Sequence, residues 1–216
     1  MRVLVTAGPT REALDPVRYL TNRSSGKMGY AMADAFAKAG HEVLLISGPT
    51  QLEIPEGVDF LPVESALEMY AAVERHIARR DAAVFAAAVA DYRPATLSEH
   101  KMKKTGETLT LELVRTPDIL GSVRSQFGFT GTLIGFAAET QDLEAFARDK
   151  LQRKGCDLVI ANDVSKPGIG FDSDRNEVLL VFPDHTEAPP EDEKHHLAPM
   201  LVREIERIAA EKMAGG

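Results

Sequence analysis

The chain has 216 residues, 44% of them hydrophobic and 27% charged, enough for one substantial core. A net charge of −8 argues against a broad nucleic-acid surface, and no apolar run approaches the roughly 20 residues that span a bilayer. The single cysteine, Cys156, excludes an internal disulfide, and the opening Met1-Arg-Val-Leu-Val-Thr6 reads as a strand rather than a secretory signal, so a cytoplasmic protein is expected.

Residues 3–6 form a short β-branched run. After a Gly/Pro loop, Met28, Ala31, Met32, Ala35 and Phe36 fall at helical spacing, predicting a helix over 28–39 with Gly40 as its stop. Residues 43–46 and 82–85 read as strands, with a helix over 66–79 between them. Repeated strand, crossover helix and parallel strand imply an α/β fold: a Rossmann-like doubly wound, mostly parallel sheet with helices on both faces. Residues 91–108 are polar and too long for an ordinary connector, so a flexible flap is expected there. Leu109, Leu111 and Leu113 alternate with Thr110, Glu112 and Val114, which predicts a strand with one buried face. Thr116 is expected to cap a helix opening at Pro117. Two buried strands over 133–136 and 158–161 flank a helix over 143–153. Residues 177–182 read as an antiparallel edge strand, 187–193 as an acidic solvated linker, and 194–213 as a closing amphipathic helix. No repeat or composition shift divides the chain, so residues 1–216 are expected to form a single nucleotide-binding domain.

Ligands of doubly wound sheets bind outside the carboxyl ends of the strands, which directs attention to the segments that follow them. Thr6-Ala-Gly-Pro-Thr-Arg-Glu12 lacks the glycine spacing of a dinucleotide fingerprint, which weakens a nicotinamide reading; Gly8 also suits a plain tight turn. Thr21-Asn-Arg-Ser-Ser-Gly-Lys-Met-Gly29 opens the first long helix. Ser24 and Ser25 are expected to cap it, Gly26 and Gly29 leave room beside the backbone, and Arg18, Arg23 and Lys27 favour an anion at the helix end. It is not a Walker A loop. In Ala86-Ala-Ala-Val-Ala-Asp-Tyr-Arg-Pro94, small residues end at one acid, Asp91, which suits either a ligand contact or a turn cap. Lys101-Met-Lys-Lys104 is a solvated run or part of a flap closing over a polyphosphate. Lys150 and Lys154 share a helix face, which by spacing alone reads as solvent-exposed. Cys156 reads as structural, and the six histidines show no zinc-ligand spacing.

Taken together, these segments resemble the bacterial phosphopantothenate–cysteine ligase family. The likeness rests on Thr6 to Glu12, Asp15-Pro-Val-Arg-Tyr19, Asn22 to Gly29, Ala87 to Pro94, Lys101-Met-Lys-Lys104, Thr116-Pro-Asp-Ile-Leu120, Gly135-Phe-Ala-Ala-Glu-Thr140 and Ala161-Asn-Asp-Val164, in that order. The resemblance implies a Rossmann-like homodimer of coenzyme A biosynthesis, with a flavin-dependent decarboxylase as the other half of many relatives. The chain is then expected to be either a free-standing ligase with a separate decarboxylase as partner or an excised domain of a bifunctional protein. It implies 4′-phosphopantothenate, CTP and free cysteine as substrates, with Mg²⁺ bound mainly through the nucleotide phosphates and no metal held by the protein alone. By position, Asn22 and Lys101 look catalytic. Gly8, Ser24, Gly26, Gly29, Phe85, Ala86, Ala87, Asp91, Lys101, Pro117, Asp118, Ile119, Leu120, Phe136, Lys150 and Lys154 match nucleotide contacts, which overrides the exposed reading of the two helical lysines. Arg18, Asn22, Ala87, Ala88 and Asp91 match substrate contacts, Arg18 by reaching across the dimer. An NAD(P)-dependent reductase of the same fold and a non-catalytic nucleotide-binding module are the competing readings.

Overall fold

The computed structural model describes residues 1–104, 106–139, 141–163 and 173–214. Thr140 and Val164, which close two of the motifs, lie outside them. The elements run β1 (Arg2–Ala7), β2 (Arg11–Ala13), β3 (Tyr19–Thr21), α1 (Lys27–Lys38), β4 (Glu42–Ser47), β5 (Val58–Pro62), α2 (Ala66–Ile77), β6 (Ala82–Phe85), β7 (Tyr92–Pro94) and β8 (Leu113–Arg115). They continue with α3 (Ile119–Ser125), β9 (Thr132–Glu139), α4 (Leu143–Lys154), β10 (Leu158–Asp163), β11 (Arg175–Asn176), β12 (Val178–Val181), β13 (Thr186–Glu187), β14 (Asp192–Glu193) and α5 (Lys194–Ala214).

Eight strands form the central sheet in the order β13-β12-β10-β9-β6-β1-β4-β5. The six from β10 to β5 are parallel, and β12 joins β10 antiparallel, with Val159 opposite Val181. Counted by position, the parallel strands follow the doubly wound order, and the chain departs in opposite directions after β1 and after β6. Period-two alternation divides the core between two faces. Val3, Val5 and Ala7 pack with α1 and α5, while Leu4, Leu44 and Ile46 face α2, α3 and α4. The expected fold class is therefore present, with helices on both sides.

Several local expectations are corrected. The strand expected from Leu109 shrinks to the three residues of β8, which pair with β7; Leu109 and Leu113 are exposed rather than buried. Alternation without a long partner strand does not create a buried face. Thr116 does not cap α3, and Pro117 precedes that helix. Asp118 is the N-cap, its Oδ1 accepting from the Gly121 N–H at 2.9 Å, while the Thr116 hydroxyl donates to the Ala90 carbonyl at 2.6 Å. A carboxylate is well suited to accept from a helix's first turn. Ser24 and Ser25 do not cap α1 either: Gly26 occupies the N-cap with φ 78°, with no side-chain cap bond, and its N–H donates to Ser24 Oγ at 3.3 Å. β12 is not the edge, because β13 pairs beyond it. The acidic linker contains β14, which pairs with β11.

Two packing details set the position of α1. A Cβ at Gly29 would lie 2.5 Å from Ala7 Cβ, so glycine lets the helix approach β1 closely. A Cβ at Gly26 would lie 2.7 Å from Thr50 Cγ2 and 3.3 Å from Gly8 Cα. Elsewhere, Cys156 is buried beside Gly135, and burial pushes its thiol up to about 12.

Gly29→Ala should lower stability in a denaturant titration: helix propensity favours alanine by about 1 kcal/mol, but overpacking against Ala7 costs about 1–3 kcal/mol. Cys156 should resist thiol reagents in the folded protein and react fully once it is unfolded. Because its folded pKa is raised from the ordinary 9.0 to about 12, its contribution to stability is complete below pH 9 and declines as pH rises toward 12, a trend that unfolding at stepped alkaline pH checks.

Candidate active site

The carboxyl edge of the sheet opens into a cleft of ≈ 830 Å³. Its floor is made by Thr6, by residues 85–89 after β6 and by residues 136–139 at the end of β9. The chain leaving β1 and the chain leaving β6 remain joined beyond the sheet. Ala86 N–H donates to Thr6 O at 3.1 Å, Ala88 N–H to Gly8 O at 2.9 Å, and Ala90 N–H to Thr10 Oγ1 at 3.0 Å. This seam lies at the point where the strand order reverses, the usual ligand position in such sheets.

The first turn of α1 forms one wall, with Ser24, Gly26 and Gly29 on the cleft. The amides of a first helical turn lack intrahelical acceptors, and the helix dipole adds positive potential, so this wall favours an anion. Asn22 is fixed beside it: Nδ2 donates to the Ala88 and Val89 carbonyls, each at 3.1 Å. With both amide hydrogens engaged, its Oδ1 remains available as an acceptor.

The opposite wall combines the start of α3 with α4. Pro117, Asp118, Ile119 and Leu120 line it, joined by Phe136, Lys150 and Lys154. Lys150 is largely buried and its Nζ donates to the Phe136 carbonyl at 2.6 Å; burial pulls its pKa down against the attraction of nearby acids. Lys154 pairs with Asp118. Burial pushes the Asp118 carboxyl up, but the Lys154 hydrogen bond, the Gly121 N–H and the charges of Lys154 and Lys150 prevail and hold it low. Both lysines thus face the cleft, as the resemblance implied and as spacing alone did not.

Phe85, Ala86, Ala87, Ala88 and Asp91 also line the cleft. Three expected residues do not. Gly8 lies behind the wall, packed on Gly26. Arg18 directs its guanidinium to the buried Asp15, with Nε and Nη2 at 3.0 and 2.5 Å, and donates to the Met102 carbonyl at 2.9 Å. Met102 N–H returns to Asp15 Oδ2 at 3.1 Å. The Arg18 hydrogen bond outweighs burial and holds the Asp15 carboxyl far below its usual range. The pair therefore fastens the backbone at Met102, and neighbouring Lys101 is exposed outside the cleft walls.

The cleft includes residues not singled out as contacts from the sequence: Glu139 and Asn162, which lie inside quoted motifs, and Arg115, Asn176 and Lys194, which lie outside them. Asn176 and Lys194 were hidden within segments read as a strand boundary and a closing helix. Only pairing of β11 with β14 brings them to the ligand edge. Among the described residues, Asn176 Oδ1 is buried without a partner, an arrangement that costs about 1–3 kcal/mol. Among the described residues, six cations line the cleft against three carboxylates, so a protein of net charge −8 presents a positive pocket. Among the described residues, no cluster of three or more metal-ligating side chains is present. No helix among them is long and apolar enough to cross a membrane.

A family described as the DNA/pantothenate metabolism flavoprotein C-terminal domain matches residues 1–208. The coenzyme A biosynthesis bifunctional protein CoaBC of Vibrio cholerae is 49% identical over 206 residues, covering 94% of this chain and 52% of that protein. The chain thus spans about half the length of the curated relatives it matches. A crystal structure of the C-terminal domain of CoaBC superposes with a TM-score of 0.83 at 40% identity, covering 97% of this chain and 96% of that one. The DNA/pantothenate metabolism flavoprotein from Streptococcus pneumoniae gives a TM-score of 0.83 at 27% identity, covering 96% and 99%. With six of the eight ordered motifs contributing to one positive cleft and this agreement along almost its whole length, the chain belongs to the DNA/pantothenate metabolism flavoprotein C-terminal domain family.

Proposed function

We propose that the chain is a phosphopantothenate–cysteine ligase acting in coenzyme A biosynthesis, corresponding to the ligase half of its bifunctional relatives. The positive cleft of an acidic protein is the observation that carries this reading: it suits two anionic substrates that must be brought together. The 4′-phosphopantothenate carboxylate attacks the α-phosphate of CTP and pyrophosphate leaves. The amine of cysteine then attacks the acyl carbon, and CMP leaves with the bonding electron pair.

The α1 wall, with Ser24, Gly26 and Gly29, stabilises phosphate charge through backbone dipoles. Lys150 and Lys154 hold the nucleotide on the opposite wall, where Phe136 and residues 117–120 surround it. Asn22, Ala87, Ala88 and Asp91 orient the acyl substrate at the seam. Lys101, carried inward by the flap, meets charge developing on the acyl-nucleotide. Magnesium fits the cleft as a phosphate-bound ion, since hard oxygen donors are present in Asp91 and Glu139; it would neutralise polyphosphate charge. A homodimer accounts for the exposed Val17, Tyr19, Tyr92, Leu97, Leu109 and Leu113 around the small ladders, and would carry Arg18 toward the second copy's site.

Pyrophosphate release with 4′-phosphopantothenate, Mg²⁺ and either CTP or ATP, with and without cysteine, tests the reaction directly. Cysteine-sustained release with matching CMP is expected; no release from folded protein with either nucleotide would leave a binding module only. Lys101→Gln should fold normally and lose overall turnover by about a hundredfold or more. Asn22→Asp replaces two donors with an acid facing two carbonyls, so the cysteine-dependent step should fall by about tenfold more than pyrophosphate release. Light scattering after size-exclusion chromatography should give twice the chain mass.

A further inference from the structure

One corner of the cleft lies beyond every motif used above. It is built from β11 and the first residue of α5. Asn176 is 3% exposed, lines the cleft, and has a buried Oδ1 with no hydrogen-bond partner among the described residues. Lys194 is 6% exposed and also lines the cleft; its N–H donates to the Asp174 carbonyl at 2.8 Å and its Nζ to the Ser173 carbonyl at 2.5 Å. Asp174 in turn pairs with Lys27 of α1 at 2.7 Å, which joins this corner to the anion-binding wall.

The chemistry of the corner is two-sided. The Asn176 side chain borders the cleft while its amide oxygen is closed off from solvent and lacks a donor, a need that a ligand amine entering this corner would meet. An ammonium at the positive end of a 21-residue helix favours a ligand anion. An α-amino acid presents both groups on one carbon: an amine that donates and a carboxylate that accepts. We propose that Asn176 and Lys194 form the subsite for the free amino acid, with Asn176 Oδ1 accepting from the amine and Lys194 holding the carboxylate. This rests on the ligase reading, in which no motif residue holds cysteine. The cysteine ammonium releases one proton to solvent to become the nucleophile. Its lone pair forms the C–N bond, the acyl C–O bond to the nucleotide breaks, CMP leaves with that electron pair, and the nitrogen releases a second proton to solvent. Asn176 positions the amine and takes no proton.

Cysteamine, which keeps the amine and thiol but lacks the carboxylate, separates the two contacts. With the full chain, Lys194→Met should raise the KM for cysteine about tenfold or more while leaving the KM for cysteamine within about twofold. Asn176→Ala should raise the KM for both amines by about tenfold. Both variants should form pyrophosphate normally when cysteine is absent, and Lys194→Arg should restore most of the discrimination. Equal loss toward both amines in Lys194→Met, or a raised KM for CTP or 4′-phosphopantothenate in either variant, would overturn the subsite. Thermal unfolding is measured alongside; if Lys194→Met or Asn176→Ala does not fold, Lys194→Gln and Asn176→Leu, which also remove the charge and the acceptor while keeping more of the volume, are read by the same criteria. Wild-type turnover with unshifted variants overturns the subsite alone, whereas absence of cysteine-dependent turnover in the wild type overturns the ligase reading itself.

Discussion

Beyond the last paired residues of β1 and β6, the two chains continue side by side through Thr6, Gly8 and Thr10 on one and Ala86, Ala88 and Ala90 on the other. The site depends on this seam. Its backbone bonds satisfy groups that would otherwise be exposed or buried unpaired where the sheet ends. They also fix the two departing loops relative to each other, so that α1 and the Ala-rich segment present opposite sides of one cleft. Asn22 adds a side-chain clip across the same seam, bonded to two carbonyls of the Ala-rich chain. Small residues are required here because the backbone itself forms the binding wall. At Gly29 the close approach to Ala7 then sets the depth to which the first turn of α1 reaches.

Charge is distributed to the same end. Cations from α1, β8, α4 and α5 converge on the carboxyl edge although the chain as a whole is acidic. Two of them illustrate different electrostatic compromises. Lys150 is desolvated and donates to a backbone carbonyl, whereas Lys154 pairs with the carboxylate that also caps α3. Asp118 therefore serves the helix and the lysine together, and loss of its carboxylate would disturb both. Arg18 shows the reverse arrangement: its charge is turned away from the cleft toward Asp15, where the pair secures the backbone at Met102.

Legibility in the sequence followed the range of the interactions involved. Five of the six parallel strands and their helices were readable because each carries its own apolar run or helical period, whereas β5, with no fully buried residue, carries no such signal; the spacing at the start of α1 singled out one wall of the cleft. Misreadings arose where two local signals competed. Thr116 and Asp118 both suit a helix N-cap, and the carboxylate took the position while Thr116 bonded to Ala90. The leucines from Leu109 onward had the period of a strand but no long neighbour to complete it.

By itself, the sequence determined the doubly wound class, the order of the helices and most buried strands, and the chemical character of the segments that follow those strands, because these depend on side chains near one another along the chain. Tertiary structure alone decided which of those segments share a cleft. It turned Lys150 and Lys154 inward, kept Lys101 and Arg18 outside the wall, and brought Asn176 and Lys194 to the ligand edge. The physical reason is that a binding site is assembled by contacts between residues tens to more than a hundred positions apart, and no local periodicity encodes the register of β11 with β14 or the seam between β1 and β6.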